Sequence, residues 1–221
     1  MKILASEITA WRYCPRQLYK VKILGEERPL NEDLVKGSLL HLVYKEFFDR
    51  KPYTSSSYIE WFLDKGIERV MEKEDGKINK LNMSRELLKD FLVYSAQGLN
   101  AAFNKGRISV PKAIEQHIES DEFIARVDAI FEKDEHEIIG DIKKRIRNLD
   151  EVKLQLTVAA IIFDALGKKV ERGLAIDAEN WREIEFLIDN ELKQEVWKIR
   201  EEILQMYETR EAPECKCGRC K

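Results

Sequence analysis

Residues 122–143 read EFIARVDAIFEKDEHEIIGDIK, two runs of strict alternation joined by a short charged connection. Phe123, Ala125, Val127, Ala129 and Phe131 share one parity, continued by Ile138, Gly140 and Ile142, an apolar face of the kind a half-buried sheet turns to its core. The other parity carries Asp128, Asp141 and Lys143. An even-membered turn centred between Asp134 and Glu135 makes positions equidistant from it cross-strand partners, so Asp128 is expected opposite Asp141.

Ahead of this hairpin the pattern is helical. Ser6 is the N-cap candidate of a first helix reaching Cys14, and Pro15 starts a second, which places Cys14 at a helix junction. Residues 25–33 read as a loop, and 33–50 as an amphipathic helix with Val35, Leu39, Leu42, Val43 and Phe47 on one side. Gly37 lies one turn before His41 on it; a mid-helix glycine costs about 1 kcal/mol against alanine, so close packing at Gly37 is expected. Residues 51–57 form a loop, with Ser57 capping a helix from 58 toward 74 that stops at Asp75-Gly76. Ser84 starts a further helix over 85–104. Trp61, Phe62, Phe91 and Phe103 are core candidates, and 58–104 is expected as a helical insertion or lid.

Residues 113–119 alternate enough to form a strand feeding the hairpin through a Ser120-Asp121 turn. Beyond it, Asp150 is the cap candidate of a helix over 151–166 that carries Gln155 and ends at Gly167. Strands follow over 170–177 and 182–188, and Asp189 opens a last helix to about residue 208. This order predicts a mixed α/β domain, a sheet of about five strands with helices against it.

The 221 residues suit a single domain, 1–221. Charged residues make up 36% yet nearly cancel to a net −3, which excludes a global positive field; a nucleic-acid surface has to be a local patch. Lys144, Arg145 and Arg147 are the candidate patch, with a merely solvated strand end as the alternative. No apolar run approaches a membrane span and the N-terminus lacks a signal-peptide core, so a cytoplasmic protein with no membrane partner is expected.

Two like charges facing each other across a sheet are destabilising. A hard divalent cation with oxygen ligands would neutralise Asp128 and Asp141, and Lys143 beside it could orient water or offset charge on a phosphate. The alternative is a solvated hairpin face with a Lys–Asp salt bridge. Cys215, Cys217 and Cys220 form C-x-C-x-x-C, and Cys14 completes four thiols, a count that fits a structural Zn2+ and a [4Fe-4S] cluster alike. An exposed reactive tail is the alternative. His117 and His136 join no constellation.

Gly37-x-x-x-His41, Asp128 in R-V-D, Gly140-Asp-Ile-Lys143, Gln155 on the following helix and one early cysteine with three late ones follow an order that resembles the RecB-like nucleases of the PD-(D/E)xK superfamily. More closely, the chain resembles the CRISPR-associated Cas-four family. The resemblance implies a restriction-endonuclease-like fold with a terminal Cys-ligated cluster. It implies Mg2+ or Mn2+ on His41, Asp128, Asp141 and the carbonyl of Ile142, with Lys143 as the catalytic lysine and Gln155 placing that lysine and DNA. It implies a [4Fe-4S] cluster on Cys14, Cys215, Cys217 and Cys220, held by 1–24 and 209–221 together. The chain departs from the family in carrying Asp141 where glutamate is usual, Ala159 where a tyrosine is usual, and more closely spaced C-terminal cysteines.

The function so implied is a metal-dependent DNA exonuclease, with end-processing endonuclease activity as an extension. It would act on DNA ends or single strands, trimming them before spacer integration beside a CRISPR integrase. A nuclease-fold protein that binds DNA or an integrase without cutting, its cysteines structural, is the competing reading. A zinc-ribbon tail on an unrelated domain needs a local four-ligand knuckle, and the tail supplies three cysteines and no histidine.

Overall fold

A computed structural model describes residues 1–49 and 55–214. The chain opens with a short strand, β1 (Ile3–Leu4), running straight into α1 (Ala5–Tyr13) and α2 (Pro15–Lys22). Next come α3 (Glu32–Phe48), α4 (Ser56–Trp61), a π-helical turn over Phe62–Gly66, α5 (Ile67–Glu72), α6 (Asp75–Lys80) and α7 (Arg85–Asn104). Strands β2 (Ala113–Glu119), β3 (Phe123–Lys133) and β4 (His136–Lys143) lead to α8 (Leu149–Ala165). Strands β5 (Arg172–Asp177) and β6 (Arg182–Leu187) and helix α9 (Asn190–Thr209) complete it.

Cys14 sits between α1 and α2 as expected, with Pro15 opening α2. Ser84 and Asp189 cap α7 and α9 through their side chains. Three other caps fall elsewhere. Ser6 lies inside α1, whose N-cap is Leu4, its N–H satisfied by Glu7 Oε2 at 2.8 Å. Ser55 rather than Ser57 caps α4, and Asn148 rather than Asp150 caps α8. In the last two windows there are two polar candidates, and the one standing in extended backbone takes the role; at α1 the extended residue is Leu4, and Glu7 caps its N–H instead. The helix expected over 58–74 is interrupted by the π-helical turn, and α6 begins at Asp75 where an end was expected. The loop expected over 51–57 falls largely outside the described residues.

Among the described residues the sheet has six strands, against about five expected, in the order β1-β3-β4-β5-β6 with β2 also pairing β3. Asp134 and Glu135 hold φ of 52° and 64°, the left-handed pair that a two-residue hairpin turn requires. The register through Lys133↔His136 to Ala129↔Gly140 is the one the sequence predicts. Gly140 is needed there, because a Cβ would stand 2.7 Å from the Phe131 ring.

Three strands contact β3, and their registers place them on its two edges. β2 runs antiparallel along positions 124–130. The other edge is shared: β1 pairs in parallel with Phe123 and Ile124, and β4 pairs from Ala129 onward. Positions 125–128 on that edge are left between two strands that do not meet.

Both faces of the sheet are covered. On one, Val35, Leu39, Tyr44 and Phe47 of α3 join Phe62, Leu92 and Leu99 against Phe131, Ile138 and Ile142. On the other, Ile8 of α1, Leu154, Val158 and Ile162 of α8 and Ile199 of α9 pack with Ile130 and Ile139. Phe123, Ala125 and Val127 pack in this second cluster while Ala129 and Phe131 pack in the first, so the alternating residues of β3 do not keep one face as expected; Asp128 and Asp141, 5% and 1% exposed, are not solvated. Helix α9 is tied back to the start of the chain by Trp11 Nε1 on Glu202 (2.7 Å) and Tyr207 Oη on Glu7 (2.6 Å). Among the described residues no helix is long and apolar enough to cross a membrane.

Candidate active site

The break along the β3 edge positions the site. Asp128 is the last residue of β3 before β4 takes over, and its carboxylate does what a strand carbonyl does further along: Oδ2 accepts the Ile142 N–H at 2.9 Å. A cavity of about 400 Å³ opens there. It is walled by Leu4, Ala5 and Ser6, where β1 turns into α1, and by Asp128, Asp141 and Lys143 from the hairpin. His41 comes from α3 and Gln155 from α8, so helices on both sides of the sheet contribute.

Within it the polar groups form two linked sets. His41 Nδ1 lies 3.2 Å from Asp128 Oδ2. Lys143 Nζ lies 2.8 Å from Asp141 Oδ2 and donates to Gln155 Oε1 at 3.0 Å. Gln155 Nε2 in turn donates to Asp141 Oδ1 at 2.7 Å. The glutamine is read at both ends of its amide, which fixes its orientation between lysine and carboxylate.

Burial and charge oppose each other at every member. Burial pushes Asp141 up to about 6, against the pull of Lys143. Burial would also raise Asp128, yet the His41 imidazole and the Ile142 N–H bring it below the usual carboxylate value. Burial disfavours charge on His41 and Lys143, and the facing aspartates outweigh it, raising both. The cavity therefore keeps a charged lysine beside a carboxyl poised between protonation states.

By chemical type the donors suit a hard divalent ion: two carboxylates and an imidazole line one cavity from three elements, oxygen and nitrogen ligands without thiolate. Two buried atoms among them, His41 Nδ1 and Asp141 Oδ2, make contacts at ion-pair distance without hydrogen-bond geometry. Among the described residues no three His, Cys, Asp or Glu stand at metal-holding spacing; the groups neutralise one another, and a cation would replace the His41–Asp128 and Lys143–Asp141 contacts.

The sequence profile of the PD-(D/E)XK nuclease superfamily matches residues 5–221. The chain belongs to this superfamily. No curated protein matches the sequence. Among solved structures, a provisionally named exonuclease from Eubacterium rectale is 11% identical with a TM-score of 0.55, covering 100% of this chain and 86% of that one. That likeness is one of fold. A second structure, SSO0001, is 14% identical over 87% of this chain and 84% of its own, with a TM-score of 0.31.

In this PD-(D/E)XK chain the sequence-predicted residues His41, Asp128, Asp141, Lys143 and Gln155 meet in one cavity. Ile142 is buried beside them. Lys144 and Arg147 both pair with Asp33, and Arg145 with Glu179 at 3.2 Å, so each cation of the basic run has an acidic neighbour. Gly37 does not mark a close approach: nothing lies within 4 Å of a Cβ built there. Ala159 is 1% exposed, packed in the core beneath the site. Cys14 is buried, while Cys215, Cys217 and Cys220 lie outside the described residues. Sequence reasoning set His117 aside and passed over Arg126, yet both line the cavity. They are cross-strand partners, and Arg126 reaches within 3.8 Å of Asp128. Their available signal was Arg126 two positions before Asp128 on an alternating strand.

Proposed function

We propose that this chain is a metal-dependent deoxyribonuclease that shortens DNA from its ends. The observation that carries the reading is the meeting of His41, Asp128, Asp141, Lys143 and Gln155 in one cavity of a PD-(D/E)XK fold. His41, Asp128 and Asp141, with the Ile142 carbonyl, would hold Mg2+ or Mn2+, which supplies Lewis acidity toward a phosphate and a lowered pKa for bound water. Lys143, kept charged by Asp141, offsets negative charge as it develops on the phosphate. Gln155 holds Lys143 and Asp141 in place, and Arg126 at the cavity wall is set to meet a neighbouring phosphate oxygen.

The reading extends to trimming of DNA ends before spacer integration, with an integrase as partner; what supports that extension is the order of motifs shared with the Cas-four family. It also extends to a [4Fe-4S] cluster, or Zn2+, on Cys14, Cys215, Cys217 and Cys220. Support comes from the two ends of the chain: Cys14 is buried at the start of α2, and Tyr19 of the same helix donates to Arg210 O at 3.1 Å just past α9.

The test is shortening of end-labelled single- and double-stranded DNA by the purified protein in Mg2+ or Mn2+, against chelator, Asp141→Asn and a covalently closed circle. End-dependent shortening that requires the metal and Asp141 is expected. A wild-type protein that leaves linear DNA intact under all these conditions overturns the reading.

A further inference from the structure

We propose that a second groove, next to the active site, binds one unstacked base of single-stranded DNA; the inference rests on the deoxyribonuclease reading and names where its substrate strand lies. Leu40 and Lys144 line this groove, whose volume is about 560 Å³. Their immediate chain neighbours, His41 and Lys143, line the catalytic cavity. The two cavities have no lining residue in common and meet at these two chain steps, where consecutive Cα atoms stand about 3.8 Å apart.

The groove has the parts a nucleobase needs. Trp181 walls it, 2% exposed and anchored by its indole N–H on Ser95 O at 2.8 Å. Its φ of 43° is a left-handed conformation that a bulky side chain rarely adopts. Tyr94 on α7 also lines the groove and is 76% exposed, more than any other large hydrophobic side chain among the described residues. Phe91, one turn earlier on the same side of α7, extends the aromatic surface. Gln97 and Asn180 bring amide donors and acceptors to the lining, suited to base edges.

The cation at the groove selects a phosphate-bearing occupant. Lys144 lies in the lining, paired with Asp33 from outside it; Glu179 also lines the groove and is paired with Arg145, which follows Lys144 in the chain. Exposed ion pairs of this kind are weak, and backbone phosphates can displace the carboxylates. An aromatic platform flanked by cations is the arrangement that holds single strands without reading sequence. A duplex keeps its bases stacked and presents no free face to Tyr94.

The experiment measures binding of a fluorescein-labelled oligothymidylate, of a single strand carrying 2-aminopurine, and of a duplex, each in chelator, to wild type, Tyr94→Ala and Tyr94→Phe. Loss of one stacked base corresponds to about a tenfold drop in affinity. Tyr94→Ala is expected to weaken single-strand binding by that factor, to abolish the 2-aminopurine quench and to leave duplex binding unchanged, while Tyr94→Phe behaves as wild type. Lys144→Ala should make the slope of log affinity against log salt shallower by about one. A wild type that shortens DNA while Tyr94→Ala holds the single strand equally tightly overturns the groove and leaves the nuclease reading standing. A wild type that neither binds nor shortens DNA overturns both. Altered self-association of Tyr94→Ala in sedimentation, with single-strand affinity intact, would overturn the proposal in favour of a second copy of the chain as occupant.

Discussion

The side-chain amide of Gln155 donates to Asp141 at 2.7 Å, across the packing of α8 on β4. Asp141 is 1% exposed, so this bond satisfies Oδ1 and the Lys143 ammonium offsets the charge of a carboxyl that water scarcely reaches. Gln155→Ala is expected to lower DNA shortening by about 10- to 100-fold, the usual cost of losing a group that orients a metal ligand. The protein should stay folded, because Gln155 stands at the cavity wall rather than in the core. Wild-type turnover in Gln155→Ala, measured beside its circular dichroism, would remove the glutamine from the site.

Asp128 has a structural duty that Asp141 does not share, since it accepts the buried Ile142 N–H where β3 and β4 part. Relief of repulsion alone would make Asp128→Ala and Asp141→Ala equivalent. The geometry separates them. Asp128→Ala strands a buried donor, at about 1–3 kcal/mol, whereas Asp128→Asn keeps an acceptor oxygen and most of the stability. Both variants should lose DNA shortening. Urea unfolding in chelator decides the point: equal midpoints for the alanine and asparagine variants would show that the Ile142 bond contributes nothing.

The carboxyl of Asp141 gives the fold a pH dependence of known sign. Its ordinary value of 3.8 is raised by burial to about 6. Between those values the folded protein keeps a proton that the unfolded chain has released, so this residue's contribution to stability falls as pH rises from about 4 to about 6. Asp141→Asn removes the effect. Its stability relative to wild type, in chelator, should therefore be more favourable at about pH 7.5 than at about pH 4. An unchanged difference across that window would show that Asp141 does not titrate there.

Lys143→Ala separates charge stabilisation from ligation. The variant deletes no metal-binding atom and frees Asp141 Oδ2 from its 2.8 Å contact. It should lose DNA shortening while binding Mn2+ at least as tightly as wild type, with His41→Ala binding it more weakly. Calorimetry giving the reverse order would exchange the two roles.

Cys14→Ser tests the proposed joining of the chain ends. A four-thiolate centre closing so long a loop stabilises by roughly 5 kcal/mol in the chain-entropy model. The variant is expected to lose most of its bound iron or zinc and to melt at a lower temperature. Full metal content with unchanged melting would show that the four cysteines do not share a centre.

Local pattern alone determined the hairpin. Alternation marked β3 and β4, and because a two-residue turn sets register within its own few residues, Asp128 and Asp141 were legible as equidistant from Asp134-Glu135. The same holds for α7 and α9, whose caps Ser84 and Asp189 act within one turn. Only the tertiary structure decided what that hairpin faces. Strand β1 has two residues, too few to alternate, and its pairing with Phe123 joins positions far apart in the chain. That pairing creates the break on the β3 edge where the cavity opens. The surroundings of Asp141 are likewise set by α8, which brings Gln155 onto it, those of Asp128 by His41 of α3, and the neighbourhood of His117 by the register of β2. Periodicity reports which residues share a face; it carries no information about which distant element covers that face, and here the covering elements turn a pair of strand carboxylates into a site.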